Sequence, residues 1–376
     1  MQFLFHKSVP KVTLGNEAIL KLKEYTYRRV ALIVDRYLLE TEVYKVLSTG
    51  IYGEGNCRLI CDVAEEPSYA MVDKYIPVVR DYKPDCFVVM GGGSAMDTAK
   101  ALWMFYELPD ISWEAAVSGP LPAFPGKAVL IAVPTTSGTG SEVSGAGVYT
   151  HYNNPQAMII SDELRPTEAI LDYSLLKTIP PKVIAHSGAD ALAHALGALS
   201  CKAASGIDKL ISEAVSVRII KNLVKSYQGD ADARALMHVS SYLAGDMMNN
   251  AGGGLEHKLD RFAKAYHLPH GLVIGIFLPY TMLYLLPENH YDEIAEELGF
   301  SGGDRQKKVV ERIWEIYDAV GIPRTLRETG IPEDEFLSEI PEYIRQVKEI
   351  GHIYWIRGFR GDDDLEGLYK QAYYGI

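Results

Sequence analysis

Asp85-Cys86-Phe87-Val88-Val89-Met90-Gly91-Gly92-Gly93-Ser94-Ala95-Met96-Asp97-Thr98-Ala99-Lys100 is the stretch on which the fold turns. Its first part, Asp85 to Met90, is a short apolar run of the kind that forms a strand buried on both faces. Three glycines follow, and then a segment that reads as a helix. Glycine permits a tight turn and close backbone approach, while the helix start offers free N–H groups and the positive end of a dipole. That combination suits a pyrophosphate. The spacing is not G-x-G-x-x-G, so the glycines alone would also fit a plain strand-to-helix turn.

Two similar runs lie on either side, Val30 to Val34 ending at Asp35 and Ala128 to Val133 closed by Pro134, with amphipathic stretches such as Tyr69 to Tyr82 between. Short apolar strands alternating with helices predict a parallel sheet covered on both faces. A loop and strand region runs from about Val143 to Asp172. After Pro180-Pro181 helical periodicity dominates, over Ala185 to Ser200, Gly206 to Tyr227, Ala231 to Asn249, Leu255 to Tyr266 and onward to the C-terminus. The expectation is an α/β Rossmann-like nucleotide-binding domain over residues 1–178, then an all-α domain over residues 179–376.

At 376 residues with 48% hydrophobic content the chain can bury two cores, and a net charge of −12 argues against a nucleic-acid surface. Cys57, Cys61, Cys86 and Cys201 form no C-x-x-C pair and read as free thiols. The start, Met1 to Lys7, lacks the basic and apolar regions of a signal peptide. The uncharged stretch Gly271 to Pro287 is shorter than a membrane span and carries Pro279, so it is expected to be a buried core helix. A soluble, cytoplasmic protein without a membrane partner is expected.

A second loop strengthens the nucleotide reading. Pro134-Thr135-Thr136-Ser137-Gly138-Thr139-Gly140-Ser141-Glu142 also follows a strand and sets hydroxyls among glycines. Two such loops at the C-terminal ends of parallel strands are where open α/β sheets bind ligands. Gly91, Gly92, Gly93, Ser94, Asp97, Thr135, Thr136 and Ser141 are the candidate cofactor-binding residues. Asp35 could accept from the adenosine ribose and repel a 2′-phosphate, which favours NAD, while Arg36 beside it keeps NADP open. An ordinary turn aspartate is the alternative for Asp35.

In the second half, Asp190-Ala191-Leu192-Ala193-His194 places a carboxylate and an imidazole at i and i+4 on one helix face. Alone, such a pair is more often a hydrogen bond than a metal site. Gly253-Gly254-Leu255-Glu256-His257 follows, and then Leu268-Pro269-His270-Gly271 at the mouth of the uncharged helix. Asp190, His194 and His270, completed from the 256–257 region, would offer nitrogen and oxygen ligands that suit Fe(II) or Zn(II) rather than Mg(II).

These segments, with Val12-Thr13-Leu14-Gly15, resemble the iron-containing (group III) alcohol dehydrogenases, which share a dehydroquinate synthase-like fold with glycerol dehydrogenases. The resemblance runs nearly end to end, and the 134–142 loop is its most specific part. It implies a divalent metal held by one aspartate and three histidines, and a homodimer or higher homo-oligomer. Asp190, His194 and His270 match its ligands. The remaining family histidine, fourteen residues before His270, is Glu256 here; a further histidine near the nicotinamide is Asp260, a cofactor-side lysine is Gln156, and an acidic residue three after the first ligand histidine is Gly197. Either Glu256 coordinates directly or a one-residue shift brings in His257. Helical phase favours Glu256, since one residue rotates a side chain by about 100°, so Asp190, His194, Glu256 and His270 are the expected ligands.

The resemblance implies hydride transfer between a nicotinamide cofactor and a small primary alcohol or aldehyde, assisted by the metal. Asp260 or His257, with His267 as a further candidate, would handle the proton. Ser161-Asp162-Glu163-Leu164 and the tail from Asp364 to Tyr374 are similar to the 4-hydroxybutyrate dehydrogenase branch, where Arg357 and Arg360 could bind a carboxylate. Two rivals are a dehydroquinate synthase-like lyase or cyclase and a non-catalytic nucleotide-binding homologue. The helical half shows no compact basic cluster for a phosphorylated substrate, and the retained Asp190, His194 and His270 speak against lost catalysis.

Overall fold

The three apolar runs lie side by side at the centre of a six-stranded parallel sheet. The computed structural model describes residues 8, 11–51, 56–151, 154–288 and 290–375. The chain forms two compact units, one of which is Ser8–Ile179 and the other of which contains Pro180–Ile376. The first holds β1 (Val12–Gly15), β2 (Val30–Asp35), β3 (Cys57–Val63), β4 (Cys86–Gly91), β5 (Val129–Pro134), β6 (Ala146–His151), β7 (Asn154–Ile160) and β8 (Glu168–Asp172). The sheet order is β1-β8-β5-β4-β2-β3; β6 and β7 pair separately as an antiparallel hairpin within the expected loop and strand region.

Side chains alternate across a strand, and here both faces are buried. Ala31, Ile33, Phe87, Val89, Leu130 and Ala132 enter one apolar cluster with the Tyr69–Tyr82 and Gly93–Glu107 helices. Val30, Leu32, Val34, Val88, Met90, Ile131 and Val133 enter the other. This two-sided burial explains why the runs carry no polar alternation. Each buried Val, Leu, Ile or Phe contributes about 1.5–3 kcal/mol. The edge strand β3 instead carries Arg58 and Asp62, and the sequence reading passed over it.

The second unit is helical. Its principal helices are Pro181–Ser200, Gly206–Tyr227, Ala231–Ala251, His270–Leu285, Arg305–Val320, Glu333–Ile350 and Asp363–Tyr374. The segment His270–Glu288 is long and apolar enough to cross a membrane, yet 72% of its apolar window is buried inside the chain, as a core helix requires. One expectation fails: no helix spans Leu255 to Tyr266. A short helix, Glu256–Leu259, gives way to turns over residues 261–267, where His267 adopts φ 52°.

At the end of β8 the fully buried Asp172 carboxylate accepts from Glu17 N (3.0 Å), Ile19 N (3.0 Å), Ser174 N (2.9 Å) and Ser174 Oγ (2.6 Å). It thereby ties the segment after β1 to the segment after β8. Removing it strands the buried Ile19 N–H and frees three part-buried donors, so Asp172→Ala should destabilise the chain by about 3 kcal/mol. Urea denaturation of the full chain reads this as a lower midpoint, and Asp172→Asn should recover part of the loss.

Candidate active site

Asp35, Gly91 and Pro134 end three adjacent strands, so their loops meet at one edge of the sheet. β2 pairs with both β3 and β4, and the strand order reverses there, which is the position where doubly wound sheets bind ligands. The Asp35 carboxylate accepts from Gly92 N at 2.6 Å, and a Cβ on Gly91 would collide with it. A Cβ on Gly92 would touch Thr136 and one on Gly93 would press on Thr139, so the two glycine-rich loops face each other. The helix beginning at Gly93 leaves its first N–H groups without intrahelical partners.

The expected cofactor residues divide by how they are bonded. The Ser94 and Thr136 hydroxyls make no hydrogen bond to any described residue and are open to a ligand. Thr135 is bonded to Tyr37 Oη at 2.9 Å. Asp97 accepts from Ser141 Oγ at 2.8 Å and from Val148 N at 2.9 Å, so Asp97 and Ser141 brace the loop. Lys100, which the sequence reading did not single out, joins this brace: its buried ammonium donates to Ser141 Oγ, Ser144 Oγ and Ala146 O. Burial lowers it to about 8 against the pull of Asp97 and Glu142, while burial raises Glu142 to about 7. A lysine one helical turn beyond Asp97 was the available signal, but the partner loop is distant in sequence. Arg36 pairs with Asp62, away from the glycines, and the Gln156 side chain lies outside the described residues.

In the helical unit three imidazoles converge on one oxygen. His257 Nε2 and His270 Nε2 each lie 3.4 Å from Asp190 Oδ1, and His194 Nε2 lies 3.6 Å from it. Asp190, His194 and His257 offer ligand atoms all within 4.8 Å of one another. These separations are long for hydrogen bonds. The three distances to Asp190 are close to the roughly 3.4 Å between neighbouring ligands of a tetrahedral ion. Burial alone would raise Asp190, but His194 and His270 hold it well below the usual carboxylate range. The carboxylate oxygen of Asp190 and the imidazole nitrogens of His194 and His257 form a donor set of the kind that suits divalent iron or zinc, with His270 beside Asp190.

The far side of each ring differs. His270 Nδ1 bonds to Asp260 at 2.8 Å and His257 Nδ1 to Glu256 at 3.0 Å, whereas His194 Nδ1 is buried with no hydrogen-bond partner among the described residues. The side chains of Glu256 and His257 are placed the other way round from the expectation: His257 faces the convergence point, and Glu256 lies behind it. The helical-phase argument fails because the helix ends at Leu259 and turns carry the chain to His270. Asp260, expected as a candidate for proton transfer, is paired with Arg261 and His270. Burial would raise its pKa, but Arg261 at 2.7 Å and His270 outweigh this and hold it ionised far below neutrality. His267 is exposed on its turn. Arg357 donates to Leu199 O, and Arg360 lies 3.8 Å over the Tyr284 ring while bonding to Asp364.

Residues 10–173 match the family described as iron-containing alcohol dehydrogenase, and residues 184–345 match the C-terminal domain of the Fe-containing alcohol dehydrogenase family. The chain is 37% identical to an alcohol dehydrogenase of Thermococcus barophilus over 84% of both chains. It is 33% identical to an NADPH-dependent butanol dehydrogenase of Clostridium saccharobutylicum over 85% of this chain and 84% of that one. The solved structure of an iron-containing alcohol dehydrogenase from Thermococcus thioreducens superposes with a TM-score of 0.88 at 30% identity, covering both chains fully. The chain belongs to the iron-containing alcohol dehydrogenase family and is an NAD(P)-dependent alcohol oxidoreductase.

Proposed function

We propose that the protein interconverts a small, uncharged primary alcohol and its aldehyde, using NAD and a divalent iron or zinc ion held by Asp190, His194, His257 and His270. The observation that carries this reading is the meeting of three imidazole nitrogens at one Asp190 oxygen. A divalent ion bound there supplies a Lewis acid that polarises the substrate's oxygen. Asp190 contributes the one negative ligand, and the three rings contribute neutral donors. The His270 side chain is 44% exposed against 4% for His194 and 11% for His257, so substrate reaches the centre from the His270 side. Asp260 keeps the His270 ring in place from its Nδ1 side. In the other unit, the Gly93 helix start and the open Ser94 and Thr136 hydroxyls bind the cofactor's phosphates and ribose.

His257→Ala and His270→Ala should each weaken divalent-metal binding at least about a hundredfold and lower kcat/KM in proportion. Elemental analysis of anaerobically purified variants and NADH-coupled assays on a short aldehyde panel measure both, and wild-type metal content in either variant overturns its assignment as a ligand.

Asp35 supports NAD, and its ionisation sets when it does so. Burial raises it to about 6, against the Gly92 N–H that lowers it. It is therefore largely neutral below that pH and ionised above, where it repels a 2′-phosphate. Preference for NADH over NADPH should grow as pH rises through about 6, and Asp35→Ala should flatten that dependence and tighten NADPH binding by about tenfold at pH 7.5. Fluorescence titration with both cofactors tests this directly, which matters because the butanol dehydrogenase relative is NADPH-dependent by name.

The substrate's chain is proposed to be uncharged because Arg357 and Arg360 are already engaged with a carbonyl and with Tyr284 and Asp364. The butanol-specific name of one relative agrees with this. Butanal should accordingly be reduced with a higher kcat/KM than succinic semialdehyde; the reverse order would restore the carboxylate-binding role of the arginines.

A further inference from the structure

The geometry points to Glu256 as a positioning residue that fixes the His257 ring through Nδ1, an inference that rests on His257 being a metal ligand as proposed above. Glu256 is 2% exposed and its Oε1 lies 3.0 Å from His257 Nδ1, on the side of the ring opposite the nitrogen that faces Asp190. Its other oxygen lies 3.4 Å from Thr281 Oγ1, on the His270–Leu285 helix. A carboxylate that accepts from one ring nitrogen fixes the tautomer and leaves the other nitrogen's lone pair free for an ion.

The carboxylate has room because two glycines make it. Gly197 stands on the Pro181–Ser200 helix, one turn beyond His194, and a Cβ there would meet the Gly254 backbone at 2.5 Å and Glu256 Oε1 at 2.9 Å. A Cβ on Gly254 would strike the Glu256 carboxylate itself. The Cys201 thiol lies within bonding reach of the carbonyls of Gly197 (3.4 Å) and Gly252 (3.3 Å), which holds the glycine loop against the end of that helix. The helix that supplies Asp190 and His194 is thus shaped to admit the carboxylate that orients His257. Thr281 and the two glycines define a slot that a shorter or longer side chain would not fill in the same way.

The test uses the full chain, stripped of metal and reloaded with Co(II) or Zn(II). Glu256→Ala should weaken Co(II) binding by about ten- to a hundredfold in a chelator competition and alter the Co(II) visible spectrum. Glu256→Gln, which keeps the shape and an acceptor oxygen, should recover most of that affinity. In the Zn(II)-loaded, histidine-labelled protein, Glu256→Gln should also shift the His257 Nδ1–H resonance upfield, because a neutral acceptor bonds more weakly. An unshifted resonance overturns the inference even where Glu256→Ala does not fold, and so does wild-type affinity and spectrum in a folded Glu256→Ala. His257→Ala separates this from the metal assignment. If His257→Ala abolishes binding while the Glu256 variants change nothing, only the positioning role fails. If His257→Ala is harmless and Glu256→Gln is as damaging as Glu256→Ala, Glu256 is itself the ligand and both readings fail.

Discussion

One carboxylate oxygen, Asp190 Oδ1, is the point around which the helical unit is arranged. Asp190 is 2% exposed on an alanine- and glycine-rich helix, and a buried carboxylate without partners would cost several kcal/mol. The small residues allow other elements to come close enough to supply partners. Gly271 is packed so tightly that a Cβ would collide with the His186 carbonyl, and Gly275 meets Ala189. The His270–Leu285 helix therefore crosses at near backbone contact, which brings His270 to the same oxygen that His194 and His257 approach. A bulkier helix surface would leave that oxygen buried and unanswered.

The sheet unit meets a different constraint with different means. Its central strands are buried on both faces, so nothing along them can touch a ligand, and chemistry is confined to the strand ends. There the donors are N–H groups at a helix start and short hydroxyls, which suit phosphate and ribose in the cofactor binding proposed above. Lys100 fixes the geometry from beneath: a fully buried ammonium bonded to Ser141 in the second loop, to Ser144 just after it and to a strand carbonyl holds that loop against the Gly93 helix. Rigid loops on a rigid sheet limit the ordering cost of binding a flexible dinucleotide.

Features that depend on local periodicity were legible in the sequence. The central strands appear as β-branched runs, the Tyr69–Tyr82 and Gly206–Tyr227 helices fall where periodicity puts them, and the two glycine-rich loops stand out. Features that depend on what a segment packs against were not. Edge strand β3 mixes charge into its pattern because one of its sides is open. The 255–266 segment has helical composition but is broken into turns, and with that break His257 rather than Glu256 faces Asp190. Three of the four residues at the convergence point follow from spacing and resemblance; the fourth follows only from knowing where the helix stops. Asp260 was readable as an acid next to Arg261, but its contact with the His270 ring, ten residues on, depends on how the turns fold back.

The exchange of Glu256 and His257 also makes sense electrostatically. Asp190, Glu256 and Asp260 are each 2% exposed, and among the described residues Arg261 is the one arginine or lysine paired with any of them. The cluster therefore calls for further positive charge. Without a metal, protons meet the demand: burial favours neutral rings, yet Asp190 and Asp260 push His270 up to about 10, and Asp190 and Glu256 raise His257. A divalent ion satisfies the same demand while displacing those protons. If Glu256 itself met the ion, two negative oxygens would quench the charge that must polarise a substrate oxygen. With His257 in contact, as proposed, and Glu256 behind its ring, the carboxylate would favour cation binding and fix the ring while the ion would keep more of its Lewis acidity.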